Sequence, residues 1–451
     1  MNNESPVFIP KRNQPPDHVD DFVGRDAEIS RLFEFFSTVN PPKFSGKVAS
    51  IWGAPGTGKT ALALALARKL GQEYPDGHLV IGSGGRSQDP LFITETLETV
   101  IHSLDPFALL SDDLAELHNL YILLLQHKRL LIIVDQALDQ ENVKLLVPPG
   151  KSALILISED PIDFPNLLSL QIHNLPSEHA EEFITRMYPE SDSQVAALAQ
   201  VCKKSPLALH LSLGLLSFKN DFRIENIVDL LSDLKSKTTK FNPITSLITL
   251  LYENLNPTDQ QIFCQLAIFS FGFDQSDAVG VVTIDGKHVM DLGEHLGMLT
   301  RAKLLAFDKI TGLYRMHDSA RTFALKRLKN PTDAYLCMAA YYGEFSEDLA
   351  MISIRGFDGL LMSLLMFDEC KGYIKQIWAW LLRQKVDEKG IDKIIVQYFK
   401  FIEIFGKMRF FPRNELIPQL KCALAAAEFR GDQQVVGKIL KELEKNNQQP
   451  S

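Results

Sequence analysis

Apolar residues along the first 170 positions fall into short runs separated by longer stretches of helical spacing. Leu130–Val134 is an unbroken apolar run, the pattern of a parallel strand buried on both faces. The second half of Ser45–Trp52, together with Ser152–Asp160 and Asp76–Gly85, gives three more candidate strands. Strong helix formers follow the first of these, in ALALALARKL (Ala61–Leu70). Strands alternating with helices predict a doubly wound parallel sheet with helices on both faces. From Asn330 onward the pattern is helical. Lys371–Gln384 and Glu415–Lys445 both carry apolar residues at i, i+3 and i+4,. The most apolar run, Gly359–Phe367, falls far short of the ~20 residues needed to span a bilayer and reads as a buried helix. No membrane association is expected.

One loop between a strand and a helix carries chemistry. Gly53-Ala54-Pro55-Gly56-Thr57-Gly58-Lys59-Thr60 matches G-x-x-x-x-G-K-[ST], in the strand–loop–helix setting that this phosphate-binding motif requires. Gly56 and Gly58 permit torsions and close approach that a side chain would block. The loop amides, continuing into Ala61, and the helix N-terminus attract anions. Lys59 can reach the β- and γ-phosphates of a nucleotide, and Thr60 can place its hydroxyl on Mg²⁺. Such a loop needs a second carboxylate on a neighbouring strand. Asp135, at the C-terminal end of the Leu130–Val134 run, stands where α/β sheets place their ligand chemistry and is the second metal candidate. Gln136 follows it. An amide there can position a water but is a poor base, which points to slow hydrolysis or a nucleotide held as a switch.

The 451 residues are more than one core organises, so three or four domains are expected,. The composition, 45% hydrophobic and 23% charged, is that of a globular protein,. A net charge of −9 weighs against a nucleic-acid partner,. The five cysteines are scattered without paired spacing, as in a reduced, cytoplasmic protein with neither a disulfide framework nor a thiolate metal site. Residues 1–20 are polar and proline-rich without an apolar signal core, so they read as a flexible lead-in.

The order of motifs resembles the NB-ARC family of STAND signal-transduction NTPases. Phe22–Phe36 (FVGRDAEISRLFEFF) is similar to the segment preceding the P-loop there. The resemblance implies that the backbone around Val23 and Arg25 holds adenine. Tyr74–Pro90 and Leu130–Gly150 look like the second-strand segment and the Walker B strand of bacterial members, in which an amide at the Gln136 position is common. Cys202–Leu216 resembles the Gly-Leu-Pro-Leu motif. The resemblance places Pro206 on the adenine side of the nucleotide. Met316-His317-Asp318 matches the Met-His-Asp motif, whose histidine contacts the β-phosphate of ADP and locks the closed state. Taken alone, Pro206 is an ordinary first-turn helix proline and His317 an ordinary hydrogen-bonded histidine. One departure stands out. Where the family carries an arginine that senses the γ-phosphate, the aligned residue is Glu159. A carboxylate there repels a γ-phosphate and favours ADP.

The resemblance implies five regions. These are a flexible 1–20, a P-loop domain at 21–170, a helical subdomain at 171–238, a winged-helix subdomain with the Met-His-Asp motif at 239–329, and an α-helical, tetratricopeptide-like region at 330–451. The function it implies is a cytoplasmic switch. It binds ADP in a closed, autoinhibited monomer, exchanges or slowly hydrolyses ATP with Mg²⁺, answers to a protein partner or effector, and oligomerises on opening. Two other readings remain open. One is a hydrolysis-deficient scaffold with structural ADP. The other is a DNA-binding, initiator-like AAA+ ATPase.

Overall fold

The computed structural model describes residues 7–16, 22–38, 46–82, 91–135, 140–189, 194–216, 222–237, 239–387, 390–409 and 413–447. Gln136 lies outside them. Two compact units appear. One comprises 12–93 and 125–329, and the other comprises 7–11, 94–124 and 330–447.

In chain order the first elements are α1 (Asp26–Ser37), β1 (Lys47–Trp52), α2 (Lys59–Lys69), β2 (Gly77–Gly82), α3 (Leu91–Leu104), α4 (Leu114–Leu125), β3 (Leu130–Asp135), α5 (Gln140–Leu146), β4 (Ala153–Ser158) and β5 (Leu168–Gln171). The five strands form one sheet in the order β2–β3–β4–β1–β5, and every pairing is parallel. Parallel neighbours require crossovers, which the intervening helices supply. Leu130–Val134 and Ala153–Ile157 are essentially without exposed surface, as expected for interior strands covered on both faces. The main core joins Leu32 and Phe36 of α1, Leu62, Ala63 and Leu66 of α2, and inward residues of β1, β3 and β4.

Two sequence expectations need correction. Asp135 is not on the strand next to β1, because β4 lies between β1 and β3. The carboxylate still reaches the loop, since its partner is on the first turn of α2 and not on β1. The sheet also has a fifth strand that the pattern did not announce. β5 is a four-residue edge strand in which only Leu170 is buried, too short to show a period.

Next come α6 (Ser177–Met187), α7 (Val195–Val201), α8 (Pro206–Leu215) and α9 (Ile224–Lys237). Ser205 caps α8, with Pro206 in its first turn. That pair suits a helix start, where the hydroxyl satisfies an orphan amide and proline lacks one. The run α10 (Pro243–Asn254), α11 (Pro257–Leu266), α12 (Gln275–Val281), β6 (Thr283–Ile284), β7 (Lys287–His288), α13 (Gly293–Arg301), β8 (Ala306–Phe307), β9 (Tyr314–Arg315) and α14 (Asp318–Leu325) completes this unit. β6–β7 and β8–β9 are two short antiparallel pairs. A 3-10 turn at Lys11–Asn13 precedes a segment tied into the same unit. The Arg12 guanidinium donates to the Gly272 carbonyl at 2.9 Å and pairs with the Asp277 carboxylate.

In the second unit, α3 and α4 belong with α15 (Pro331–Ser353), α16 (Gly356–Leu381), α17 (Ile391–Arg409), α18 (Arg413–Arg430) and α19 (Gln433–Asn447). Its interior is partly ionic. Lys371 Nζ lies 2.7 Å from the fully buried Glu98 carboxylate. Arg409, also buried, grips Asp368 through two bonds of 2.6 and 2.7 Å and donates to the Pro106 carbonyl at 3.0 Å. All five cysteines are free, and Cys202, Cys264 and Cys370 are buried. Among the described residues no helix is long and apolar enough to cross a membrane.

Candidate nucleotide-binding site

The loop between β1 and α2 wraps around its own lysine. Lys59 Nζ donates to the Gly53 carbonyl at 2.7 Å and the Ala54 carbonyl at 3.0 Å. Burial lowers the Lys59 pKa, and the charges of Asp135 and Glu159 oppose that shift. Both carboxylates therefore lie within electrostatic reach of the ammonium. Thr60 Oγ1 donates to Asp135 Oδ2 at 2.8 Å. A hydroxyl and a carboxylate held together at the end of the sheet are the hard oxygen donors that Mg²⁺ takes. Thr60 and Asp135 thus fit the ion, with other positions left to water and phosphate. Among the described residues no cluster of three or more His, Cys, Asp or Glu side chains forms a separate metal site.

Two glycines are required by the loop's shape. Gly58 has φ +91° and caps α2 in the left-handed region, which costs an L side chain roughly 1–2 kcal/mol. Gly56 has φ +78°, and a Cβ there would come within 2.8 Å of Ile244 Cδ1 and 3.2 Å of Leu207 Cβ. The loop is thus packed against the starts of α8 and α10. Its backbone is bonded there as well. Ser205 Oγ donates to the Gly56 carbonyl at 3.1 Å and the Leu207 N–H to the same oxygen at 3.2 Å. Pro206 borders the loop one residue pair further on, since a Cβ on Gly58 would lie 3.7 Å from its Cγ. Pro55 is exposed at the tip, Thr57 is buried, and Ala61 is half-buried in the first turn of α2.

On the opposite side, Val23 is buried and Gly24 lies against the His179 side chain of α6. The Arg25 guanidinium is buried. It donates to the Thr57 carbonyl at 3.2 Å and to the His173 carbonyl, and pairs with Glu28 at 2.9 Å.

His317 caps α14: the Ser319 N–H donates to its Nδ1 at 3.1 Å. Because Nδ1 accepts, the proton of the neutral ring sits on Nε2, which faces onward as a donor. His317 is exposed at its surface, while protein crowds the space around it. That enclosure pushes its pKa below the usual histidine value. The nearby Lys59 charge pushes it the same way, and Asp318 opposes. A residue 258 positions downstream is therefore close enough to the P-loop lysine for their charges to interact.

Ser205, Leu207, Ile244 and the His173 carbonyl were not singled out by sequence. The Ser-Pro helix start was the one local signal for Ser205. The other contacts are made by backbone or aliphatic atoms and leave no pattern.

With this geometry in place, comparison with known proteins is informative. Residues 21–148 match the model of the AAA ATPase domain. This segment is similar to AAA ATPase domains. The chain is 26% identical over 328 residues to the regulatory protein AfsR of Streptomyces coelicolor, covering 69% of this chain and 32% of that protein. It is 26% identical over 330 residues to AfsR of Streptomyces griseus, covering 70% and 33%. It thus spans about a third of the length of these curated relatives. Among solved structures it is similar to a signal-transduction ATPase with numerous domains (STAND) that has a tetratricopeptide repeat sensor, from Pyrococcus horikoshii. There the TM-score is 0.52 at 15% identity, over 97% of this chain and 60% of that one. These findings support a P-loop ATPase domain at 21–148 and a fold shared with that solved structure. They bear out the nucleotide-binding core of the sequence analysis at that level.

Proposed function

We propose that the protein is an adenine-nucleotide-dependent switch of the NB-ARC kind, with ADP held in the closed state. The observation that carries this reading is the packing of Ser205, Pro206 and Leu207 on the phosphate loop, with His317 within electrostatic reach of Lys59. In this reading Lys59, the Gly56–Thr60 amides and the Nε2–H of His317 hold the diphosphate. Val23, the Arg25 backbone and Pro206 border the base. Thr60 and Asp135 hold Mg²⁺, which screens phosphate charge. Glu159, within electrostatic reach of Lys59, disfavours a γ-phosphate and weights the equilibrium toward ADP. Each nucleotide shifts the open and closed populations only by its difference in affinity for them.

The region 171–238 then acts as the helical subdomain and 239–329 as a winged helix with β8–β9 as its wing. The tail 330–451 is a tetratricopeptide-like region that receives a protein effector. Likeness to AfsR, a regulatory protein, supports a regulatory role, and oligomerisation would accompany opening.

The test is to denature the purified protein and identify what it releases. Stoichiometric ADP is expected. ATP would contradict selection by Glu159, and a protein that neither carries nor binds nucleotide would overturn the switch. The AAA ATPase match favours one second reading, a DNA-loading ATPase. It predicts a DNA mobility shift that weakens steeply with salt, whereas the switch predicts none.

A further inference from the structure

Three P-loop carbonyl contacts point to a role beyond fold stability. Ser205 Oγ and the Leu207 N–H both bond the Gly56 carbonyl, at 3.1 and 3.2 Å. Arg25 Nη2 bonds the next carbonyl, that of Thr57, at 3.2 Å. A peptide group is planar and trans, so its N–H points opposite to its C=O. Fixing the Gly56 carbonyl therefore fixes the direction of the Thr57 N–H, and fixing the Thr57 carbonyl fixes that of the Gly58 N–H. Both carbonyls are drawn outward, to α8 on one side and to the Val-Gly-Arg segment on the other. The Thr57 N–H turns inward, meeting the Ala54 carbonyl at a long 3.4 Å, the same oxygen that Lys59 Nζ reaches.

We infer that Arg25, Ser205 and the Leu207 amide are positioning residues that aim the Thr57 and Gly58 amides at bound phosphate, making phosphate affinity conditional on the docking of α8. This deepens the nucleotide reading and rests on it. The clamp arrives from two distant segments, 31 positions before Gly56 and 149 after it. Only a fold with both segments seated presents the preorganised loop, and amides held in place beforehand need no reorganisation when the anion arrives. Coupling is reciprocal: phosphate tightens the docking of α8 by the factor by which docking tightens phosphate. The loop thereby reports its occupancy to the helical region without any contact between nucleotide and Ser205.

The test separates phosphate from base. Competition of ADP, AMP and pyrophosphate against a fluorescent ADP analogue is measured for the whole chain, with folding checked by circular dichroism. Arg25→Met and Ser205→Ala should each weaken ADP and pyrophosphate by a common factor of about tenfold while AMP changes less than about twofold. Ser205→Thr, which keeps both the hydroxyl donor and the helix cap, should restore wild-type binding. Loss of ADP and AMP together with pyrophosphate unchanged would overturn the clamp and make Arg25 a base contact. Unchanged binding of all three would overturn it as well. If Arg25→Met does not fold, the Ser205 pair decides alone. Failure of the wild-type chain to bind any of the three would instead sink the nucleotide reading itself.

Discussion

Lys59 and His317 show how single side chains take their properties from the site. Lys59 caps two loop carbonyls, and bonds to a charged group contribute roughly 1.5–3 kcal/mol each. Lys59→Ala is expected to weaken ADP binding by about 2–3 kcal/mol, or some thirty- to 150-fold, read by isothermal titration. A smaller loss than threefold would mean that phosphate sits elsewhere. His317 is held neutral by enclosure and by Lys59. A diphosphate beside it favours the protonated ring and so raises its pKa, against the cost of displacing the Ser319 N–H from Nδ1,. ADP should therefore bind with proton uptake, and more tightly as pH falls below the usual histidine pKa of about 6.5. Calorimetry in buffers of different ionisation enthalpy measures the uptake, and His317→Ala should abolish it. Equal uptake in that variant would assign the proton to another group.

The strands and the loop were legible in sequence because their signals are local. β3 and β4 are continuous apolar runs, and the phosphate loop is eight consecutive residues. β5 was not legible, since an edge strand of four residues with one buried side chain has no period to detect. The clamp on Gly56 joins groups 149 positions apart and leaves no trace in either segment. The Lys11–Asn13 turn belongs to the same class, because its anchor is a distant ion pair. Arg12 meets Asp277, whose carboxylate also accepts the Asp274 N–H in a capping box at the start of α12. Arg12→Ala removes that ion pair from a buried carboxylate, and a loss of about 1–3 kcal/mol in urea unfolding is expected. No change would show that the cap alone satisfies Asp277. For Gly58→Ala, the left-handed backbone predicts roughly 1–2 kcal/mol of lost stability together with weaker ADP binding. A loop that binds ADP normally in that variant would show that φ +91° is not needed.

At the scale of the molecule, the family resemblance implied a P-loop domain at 21–170 that includes 94–124. The fold instead gathers it with the C-terminal helices into one compact unit. Charges conceal this. Glu98, Lys371 and Arg409 occupy the interior as pairs, whereas charged residues in a helical pattern ordinarily read as a solvent face. His102 lies in the same interior, its pKa pushed well below the usual value by burial and by Arg409, Lys371 and Lys375. The unfolded chain binds that proton more readily than the folded one, so stability is complete above about pH 6.5 and declines as pH falls below it. His102→Gln should flatten the decline in denaturant titrations between about pH 7 and 5. An unaltered slope would assign the decline to other groups. Whether the chain works as a switch turns on one contact, that of His317 with the nucleotide held by Lys59. The most direct measurement is the affinity of His317→Ala for ADP and AMP beside that of the unaltered chain. A loss of about tenfold or more for ADP with AMP little changed is predicted, as expected for a donor to the β-phosphate. Equal affinities for ADP in the two proteins would contradict the account.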